Sequence, residues 1–83
     1  MAWYVYMLRC GDGSLYTGCT DDVARRLAAH QSGKGAKYTR SRLPVSLAYQ
    51  EEQPDKSAAL RREAAIKRLK RPQKLALAEE KPL

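Results

Sequence analysis

The chain has 83 residues, enough for one domain on one modest core and too few for a second. Sixteen Lys and Arg against nine Asp and Glu give a formal charge of +7, so the expected partner is an extended polyanion, with nucleic acid ahead of an acidic membrane surface. The start of the chain carries neither a basic flank nor a small-residue cleavage site, and the apolar run Trp3 to Leu8 is too short to cross a bilayer, so a cytoplasmic protein without membrane attachment is expected.

In chain order, Trp3 to Leu8 is rich in aromatic and branched residues and is followed by Cys10-Gly11-Asp12-Gly13 and a second strand-like run, Ser14 to Cys19. This pattern predicts a β-hairpin. A three-residue loop with Gly13 in the left-handed conformation sets Cys10 against Ser14 and Leu8 against Tyr16, and brings Tyr4, Tyr6 and Tyr16 onto one face. A two-residue turn would shift the register by one and send Tyr16 to the other face; the three-residue loop is preferred. Cys10 and Cys19 then stand near different ends of the hairpin, too far apart for a disulfide, as two free thiols.

Thr20-Asp21-Asp22 supplies a cap and two acids for a helix to about Gln31, with Val23 and Leu27 as its apolar stripe. Ser32 to Pro44 is polar, basic and glycine-containing and is expected to be a loop. Val45 to Gln50 has strand character, with Val45, Leu47 and Tyr49 alternating. Pro54 and Asp55 open a helix over about Lys56 to Lys70, whose buried arc is expected to include Ala59, Leu60, Ile66 and Leu69. Pro72 starts a short final helix to about Ala78. The expected fold is α+β in the order β-β-α-β-α-α, a three-stranded, mainly antiparallel sheet flanked by helices, in a single domain over 1–83.

Several residues along this frame carry chemistry. Five tyrosines with no phenylalanine is a costly way to fill a small core, because each buried phenol needs a hydrogen-bond partner. Arg26 and His30 lie four apart on the first helix, on one side and beside the apolar stripe, while Arg25 points away. Such an edge can hold a phosphate, although basic residues beside an apolar stripe are commonly snorkelling surface groups. The loop carries Lys34, Lys37, Arg40 and Arg42 around Tyr38, with no acid between Asp22 and Glu51, which is the footprint of a nucleic-acid contact. It is not a nucleotide-hydrolase phosphate loop, since Gly33-Lys34-Gly35 lacks the earlier glycine and the hydroxyl after the lysine. Glu63 is the only acid from Lys56 through Ala78, a stretch with eight Lys and Arg, and it falls within the buried arc. A carboxylate there is costly unless paired or bound to metal; on spacing alone an ion pair with Lys67 and a metal-ligand role stand equally.

Taken together, Tyr4-Val5-Tyr6, Tyr16-Thr17-Gly18, Arg26 with His30, Tyr38 and Glu63 on a later helix resemble the GIY-YIG nuclease superfamily, and in particular its small single-domain members. The run Arg25 to Gly35 matches those members in its paired arginines, leucine, histidine and glycine-lysine-glycine loop. Tyr4 and Val5 stand where the name-giving glycine and isoleucine would be, Thr17 replaces the second isoleucine, and Cys19 occupies the place of a lysine that assists the base in some relatives. Gln73 is the only late polar residue available to complete the site. Larger relatives couple this domain to separate DNA-binding domains, which leaves room here for a partner protein that supplies targeting.

The resemblance implies a divalent-metal-dependent endonuclease that hydrolyses phosphodiester bonds, DNA being the favoured substrate. Glu63 would bind one magnesium or manganese ion, which would stabilise the departing 3′ oxygen. Tyr6 and Tyr16 would position or deprotonate the attacking water, although a phenol near pKa 10 is a weak base at neutral pH. Arg26 and His30 would steady the phosphorane charge, and Tyr38 would contact the scissile phosphate. The alternative is a non-catalytic basic module that binds DNA or structured RNA, which would have no use for an inward carboxylate near paired tyrosines.

Overall fold

A computed structural model describes residues 2–80. The strand-forming run at the start becomes β1 (Trp3–Arg9) and the next becomes β2 (Leu15–Thr20), antiparallel neighbours with Leu8 opposite Tyr16 and Tyr6 opposite Gly18. Their connection is the expected three-residue loop. Gly13 sits at φ +84°, a conformation that favours glycine, and the Cys10 amide donates to the Ser14 carbonyl at 2.9 Å. Asp12 stiffens the turn by accepting from the Ser14 amide and hydroxyl at 3.0 and 2.6 Å.

Helix α1 (Val23–Gln31) starts where Asp22 accepts a bond from the Arg25 amide at 3.0 Å. It stops at Gly33, whose φ of +80° allows Lys34 N to reach Ala29 O and Gly33 N to reach His30 O, the paired bonds of a Schellman ending. The following segment is not all loop, as expected, but contains the single turn α2 (Lys37–Arg40). That turn forms because the amide and hydroxyl of Thr39, a fully buried residue, both bind the Ala36 carbonyl. Strand β3 (Ser46–Gln53) runs three residues beyond the expected Gln50. Asp55 caps α3 (Lys56–Lys67) through the Ala58 amide, and Gln73 caps the start of α4 (Arg71–Glu80) by accepting from the Lys70 amide.

The sheet is wholly antiparallel in the order β2-β1-β3. The β-β-α-β-α-α order holds, with α2 as an added turn. One face packs Val5, Met7 and Tyr49 beneath Ala59 and Ile66 of α3, with Leu77 and Ala78 of α4 beside them. The other packs Tyr6, Leu8, Cys10 and Val45 with Tyr16, Leu47 and Leu27 of α1. Each large apolar side chain fully buried in this way contributes about 1.5–3 kcal/mol.

Two expectations about faces are corrected. Val45, Leu47 and Tyr49 do not share one face, because Met7 pairs with Tyr49 while Leu8 pairs with Leu47, leaving Ala48 as a bulge that turns the strand over between the two cores. Leu60 is 48% exposed rather than buried. The inward arc of α3 is Ala59, Arg62, Glu63 and Ile66, spaced three and four apart, and Leu60 falls outside it. Glu63 therefore faces inward as expected, but between Ala59 and Ile66.

Glu51 ties α3 to the sheet. Its carboxylate accepts from Tyr49 Oη at 2.7 Å, Gln53 Nε2 at 2.7 Å and Arg62 Nε at 2.9 Å. Burial alone would raise its pKa, but these bonds hold it below the ordinary carboxylate value. The cysteines are free, Cys10 buried on the α1 face and Cys19 opposite Val5 on the α3 face. No helix among the described residues is long and apolar enough to cross a membrane.

Candidate active site

Tyr6 and Tyr16 of the hairpin converge at the edge strand β2, whereas Tyr4 lies apart beside Asp21, Val23 and Gln50. Tyr6 stands on the central strand directly opposite Gly18, and its ring crosses the space that a side chain at 18 would fill; a Cβ built on Gly18 lies 2.6 Å from the Tyr6 hydroxyl oxygen. The glycine thus lets the hydroxyl pass over β2. There it meets His30 of α1, whose Nε2 lies 3.1 Å from Tyr6 Oη.

From this point an aromatic series runs outward. The rings of Tyr6 and His30 meet edge to face at 6.0 Å between centroids, Tyr16 tilts on His30 at 5.3 Å, and Tyr38 stacks on Tyr16 at 5.9 Å. The Arg42 guanidinium lies 3.9 Å from the Tyr38 ring centre. Four of the residues singled out from the sequence, Tyr6, Tyr16, His30 and Tyr38, are therefore neighbours, although they come from two strands and two helices.

His30 does not share the expected position of Arg26. Its ring is 1% exposed, with Nε2 at Tyr6 and Nδ1 2.8 Å from the Thr39 hydroxyl, so it supports Tyr6 from below and has no nitrogen left for a phosphate. Gly35 packs against the ring so closely that a Cβ there would collide with it. Burial first, and then the nearby Arg26 charge, lower the His30 pKa, which leaves the imidazole neutral at pH 7. Arg26 is exposed one helical turn earlier and has no ion-pair partner among the described residues. Its charge reaches the Tyr6 hydroxyl. Burial pushes that phenol above its ordinary pKa, with Tyr16, Cys19 and Glu63 adding to the rise and Arg26 opposing it.

Glu63 arrives from the other face of the sheet. Its carboxylate, 18% exposed, pairs with Lys67 Nζ at 2.7 Å and lies beside the Cys19 thiol. Burial works to raise the Glu63 pKa, and the Cys19 and Lys67 contacts more than offset it, so the carboxylate stays ionised. Burial and the Glu63 contact push the Cys19 thiol up to about 11, so it is a protonated thiol and not a thiolate. Tyr6 from the α1 side and Glu63 from the α3 side thus approach each other around the β2 edge.

The basic residues divide. Lys34 lines a groove with Arg25, Arg26, Gly35 and Asp22, and Lys37 and Arg40 lie exposed on α2. Arg42 departs from its expected place in a free basic footprint. Its Nε pairs with Asp12 at 3.1 Å and its Nη1 donates to the Tyr38 carbonyl at 2.9 Å, so it fastens the hairpin turn to the segment that carries Tyr38. Gln73, the late polar residue, is occupied as a helix cap.

A hard divalent cation at this edge would find one ionised carboxylate, Glu63. No cluster of three or more His, Cys, Asp or Glu occurs among the described residues. That donor set fits an ion of the magnesium type, which is commonly held by one or two carboxylates with water and phosphate oxygens completing its shell. It does not fit a tetrahedral zinc site.

Thr39, Cys19 and the glycines at 18 and 35 contact the candidate residues and were not singled out residue by residue. Gly18 carried a signal through the Tyr16-Thr17-Gly18 run, Gly35 through the glycine-lysine-glycine loop and Cys19 through the lysine whose place it takes, whereas Thr39 carried none.

Comparison with known proteins identifies the family. The family model described as the GIY-YIG catalytic domain matches residues 2–76. The UPF0213 protein of Streptococcus sanguinis is 62% identical over 78 residues, covering 94% of this chain and 90% of that one. The solution structure of the UPF0213 protein from Bacillus halodurans is 51% identical, with a TM-score of 0.63 over 98% of this chain and 86% of that one. A solution structure from E. faecalis is 43% identical, with a TM-score of 0.65 over 96% and 85% of the respective chains. On a family match over nearly its whole length and relatives this similar, the chain belongs to the GIY-YIG catalytic domain family, among its small UPF0213 members.

Proposed function

We propose that the protein is a divalent-metal-dependent endonuclease that hydrolyses phosphodiester bonds in nucleic acid, DNA foremost. The observation that carries this reading is the 3.1 Å contact between Tyr6 Oη and Nε2 of a buried, neutral His30. A phenol whose pKa is raised is not a standing phenolate. It can still serve as a relay, because its oxygen accepts a proton from the attacking water while its own proton passes to His30 Nε2. The water oxygen forms the new bond to phosphorus as the bond to the 3′ oxygen breaks, and the leaving oxygen is protonated from solvent. Of the two tyrosines, Tyr6 is the one with a base behind it, and Tyr16 packs against His30 and Tyr38 as the neighbouring wall.

Arg26, exposed and with no ion-pair partner among the described residues, would hold a non-bridging phosphate oxygen as charge develops there; its charge acting on Tyr6 supports this role. Tyr38 closes the outer end of the aromatic series and contacts the scissile phosphate through its hydroxyl. Lys34, Lys37 and Arg40 hold flanking phosphates. Glu63 would hold magnesium or manganese once Lys67 swings aside. When bound, the ion would supply Lewis-acid stabilisation of the charge on phosphate and leaving oxygen.

The Glu63–Lys67 pair favours a second reading, a basic module that binds without cutting, since an ion-paired carboxylate satisfies its burial without a metal. Incubation of the protein with end-labelled linear, flapped and branched DNA and matching RNA, with magnesium or with chelator, separates the two. Magnesium-dependent cleavage is expected on at least one DNA; binding with no cleavage of any substrate would establish the second reading.

A further inference from the structure

We propose that Thr39 is a positioning residue that locks His30 in the one neutral tautomer able to take the Tyr6 proton; the catalytic meaning of this lock rests on the nuclease reading above.

Ala36, Thr39, His30 and Tyr6 form a buried chain of contacts with few protons to share. Thr39 is 0% exposed, and its single hydroxyl proton has two short neighbours, Ala36 O at 2.9 Å and His30 Nδ1 at 2.8 Å. A carbonyl oxygen can only accept. If the hydroxyl proton pointed at the imidazole, two oxygens would face each other lone pair to lone pair at 2.9 Å in a site without solvent to screen them. The favourable arrangement has Thr39 donating to Ala36 O and accepting from His30 Nδ1–H. A neutral imidazole carries one proton, so Nε2 is then bare and accepts from Tyr6 O–H at 3.1 Å.

The direction of every bond follows from Ala36 outward, and the Tyr6 oxygen is left with its lone pairs facing the β2 edge. In the opposite tautomer Nε2–H would donate to Tyr6, and the phenol proton would point at the incoming water with no acceptor behind it. Thr39 reaches this position because α2 is wound around the Ala36 carbonyl, which receives the Thr39 and Arg40 amides as well as the hydroxyl. The single helical turn inside the basic segment is thereby part of the site, and its buried threonine acts through histidine without touching substrate.

Nitrogen-15 NMR of the two His30 ring nitrogens at neutral pH tests the lock directly. Wild-type protein should show Nδ1 in the protonated, pyrrole-type range and Nε2 in the unprotonated, pyridine-type range. Thr39→Val, which keeps the shape and removes the acceptor, should lose that pure Nδ1–H signature and slow single-turnover cleavage by about tenfold or more, a share of what positioned acid–base groups contribute. Thr39→Ser should restore both the signature and the rate. An Nε2–H signature in wild type, or an unchanged signature in a folded Thr39→Val protein, would overturn the proposal. The wild-type spectrum decides even if the valine variant does not fold. A protein that cleaves no substrate but shows the Nδ1–H tautomer would defeat the nuclease reading and leave the lock standing.

Discussion

Gly18 and Tyr6 face each other across β1 and β2 so closely that a single methyl at 18 would stand 2.6 Å from the Tyr6 hydroxyl oxygen. Gly18→Ala must therefore push the ring out of line with His30. A displacement near 1 Å at a reacting group costs about a hundredfold in rate. Single-turnover cleavage at saturating protein should fall by about that factor while duplex affinity holds. A variant with wild-type rate would show that Tyr6 does not work from this position.

Arg26 and Arg25 are adjacent in sequence but separated by about 100° around α1. Arg26→Ala should slow the chemical step by about a hundredfold or more, as expected for loss of one preorganised charge stabiliser. Arg25→Ala should mainly weaken binding, and lysine at 26 should rescue poorly because it lacks the planar two-pronged contact. Equal single-turnover losses for the two alanine variants would remove Arg26 from the site.

Glu63→Gln should abolish magnesium-dependent cleavage and leave duplex binding intact or slightly tighter, since it removes one negative charge. The lost pair with Lys67, itself 51% exposed, should cost about 0.5 kcal/mol or less. Cleavage at the wild-type rate in this variant would leave Glu63 as the partner of Lys67 alone.

Thr17 Oγ1 is buried with no hydrogen-bond partner among the described residues, at the position where the family motif has isoleucine. Thr17→Val removes the orphaned hydroxyl at nearly constant shape and should stabilise the fold by about 1 kcal/mol. Denaturant midpoints of the two proteins check this. A less stable valine variant would mean that the hydroxyl finds a partner in solution.

His30 also makes stability depend on pH. Its folded pKa lies below the ordinary value of 6.5, so the unfolded chain binds a proton that the folded chain refuses. The contribution is complete above about pH 6.5 and is lost as pH falls from there through the folded pKa. Midpoints measured from about pH 7.5 to pH 5.5 should drop in wild type and flatten in His30→Gln, above the range where the carboxylates titrate. A wild-type midpoint that rises on acidification would mean that His30 is charged in the fold.

The parts of this molecule that were legible in sequence are those decided by neighbours in the chain. Gly13 sets the hairpin register, Asp22 and Gly33 bound α1, and Asp55 opens α3. The parts that were not legible depend on partners far away. Arg42 looks like one more free cation until Asp12, thirty residues earlier, reaches it. His30 looks like a phosphate contact until Thr39 and Tyr6 occupy both nitrogens. The inward side of α3 was legible only in part, because the Glu51–Arg62 pair and the small Ala59 decide its roll, and Leu60 is left outside. Alternation in β3 misled because a bulge leaves no mark in a run of Leu47-Ala48-Tyr49.

That bulge makes β3 a strand with two allegiances. Before Ala48, Leu47 belongs with Leu27 and the α1 layer; after it, Tyr49 belongs with Ile66 and the α3 layer. A chain too short to build two independent cores has threaded β3 through both, as it has β1 with Val5 and Met7 on one side and Tyr6 and Leu8 on the other, so loosening one layer pulls on the other. Tyr6 and Glu63 belong to opposite layers that are joined in this way, so a change of length by one residue near Ala48 would be felt at the β2 edge from the opposite edge of the sheet.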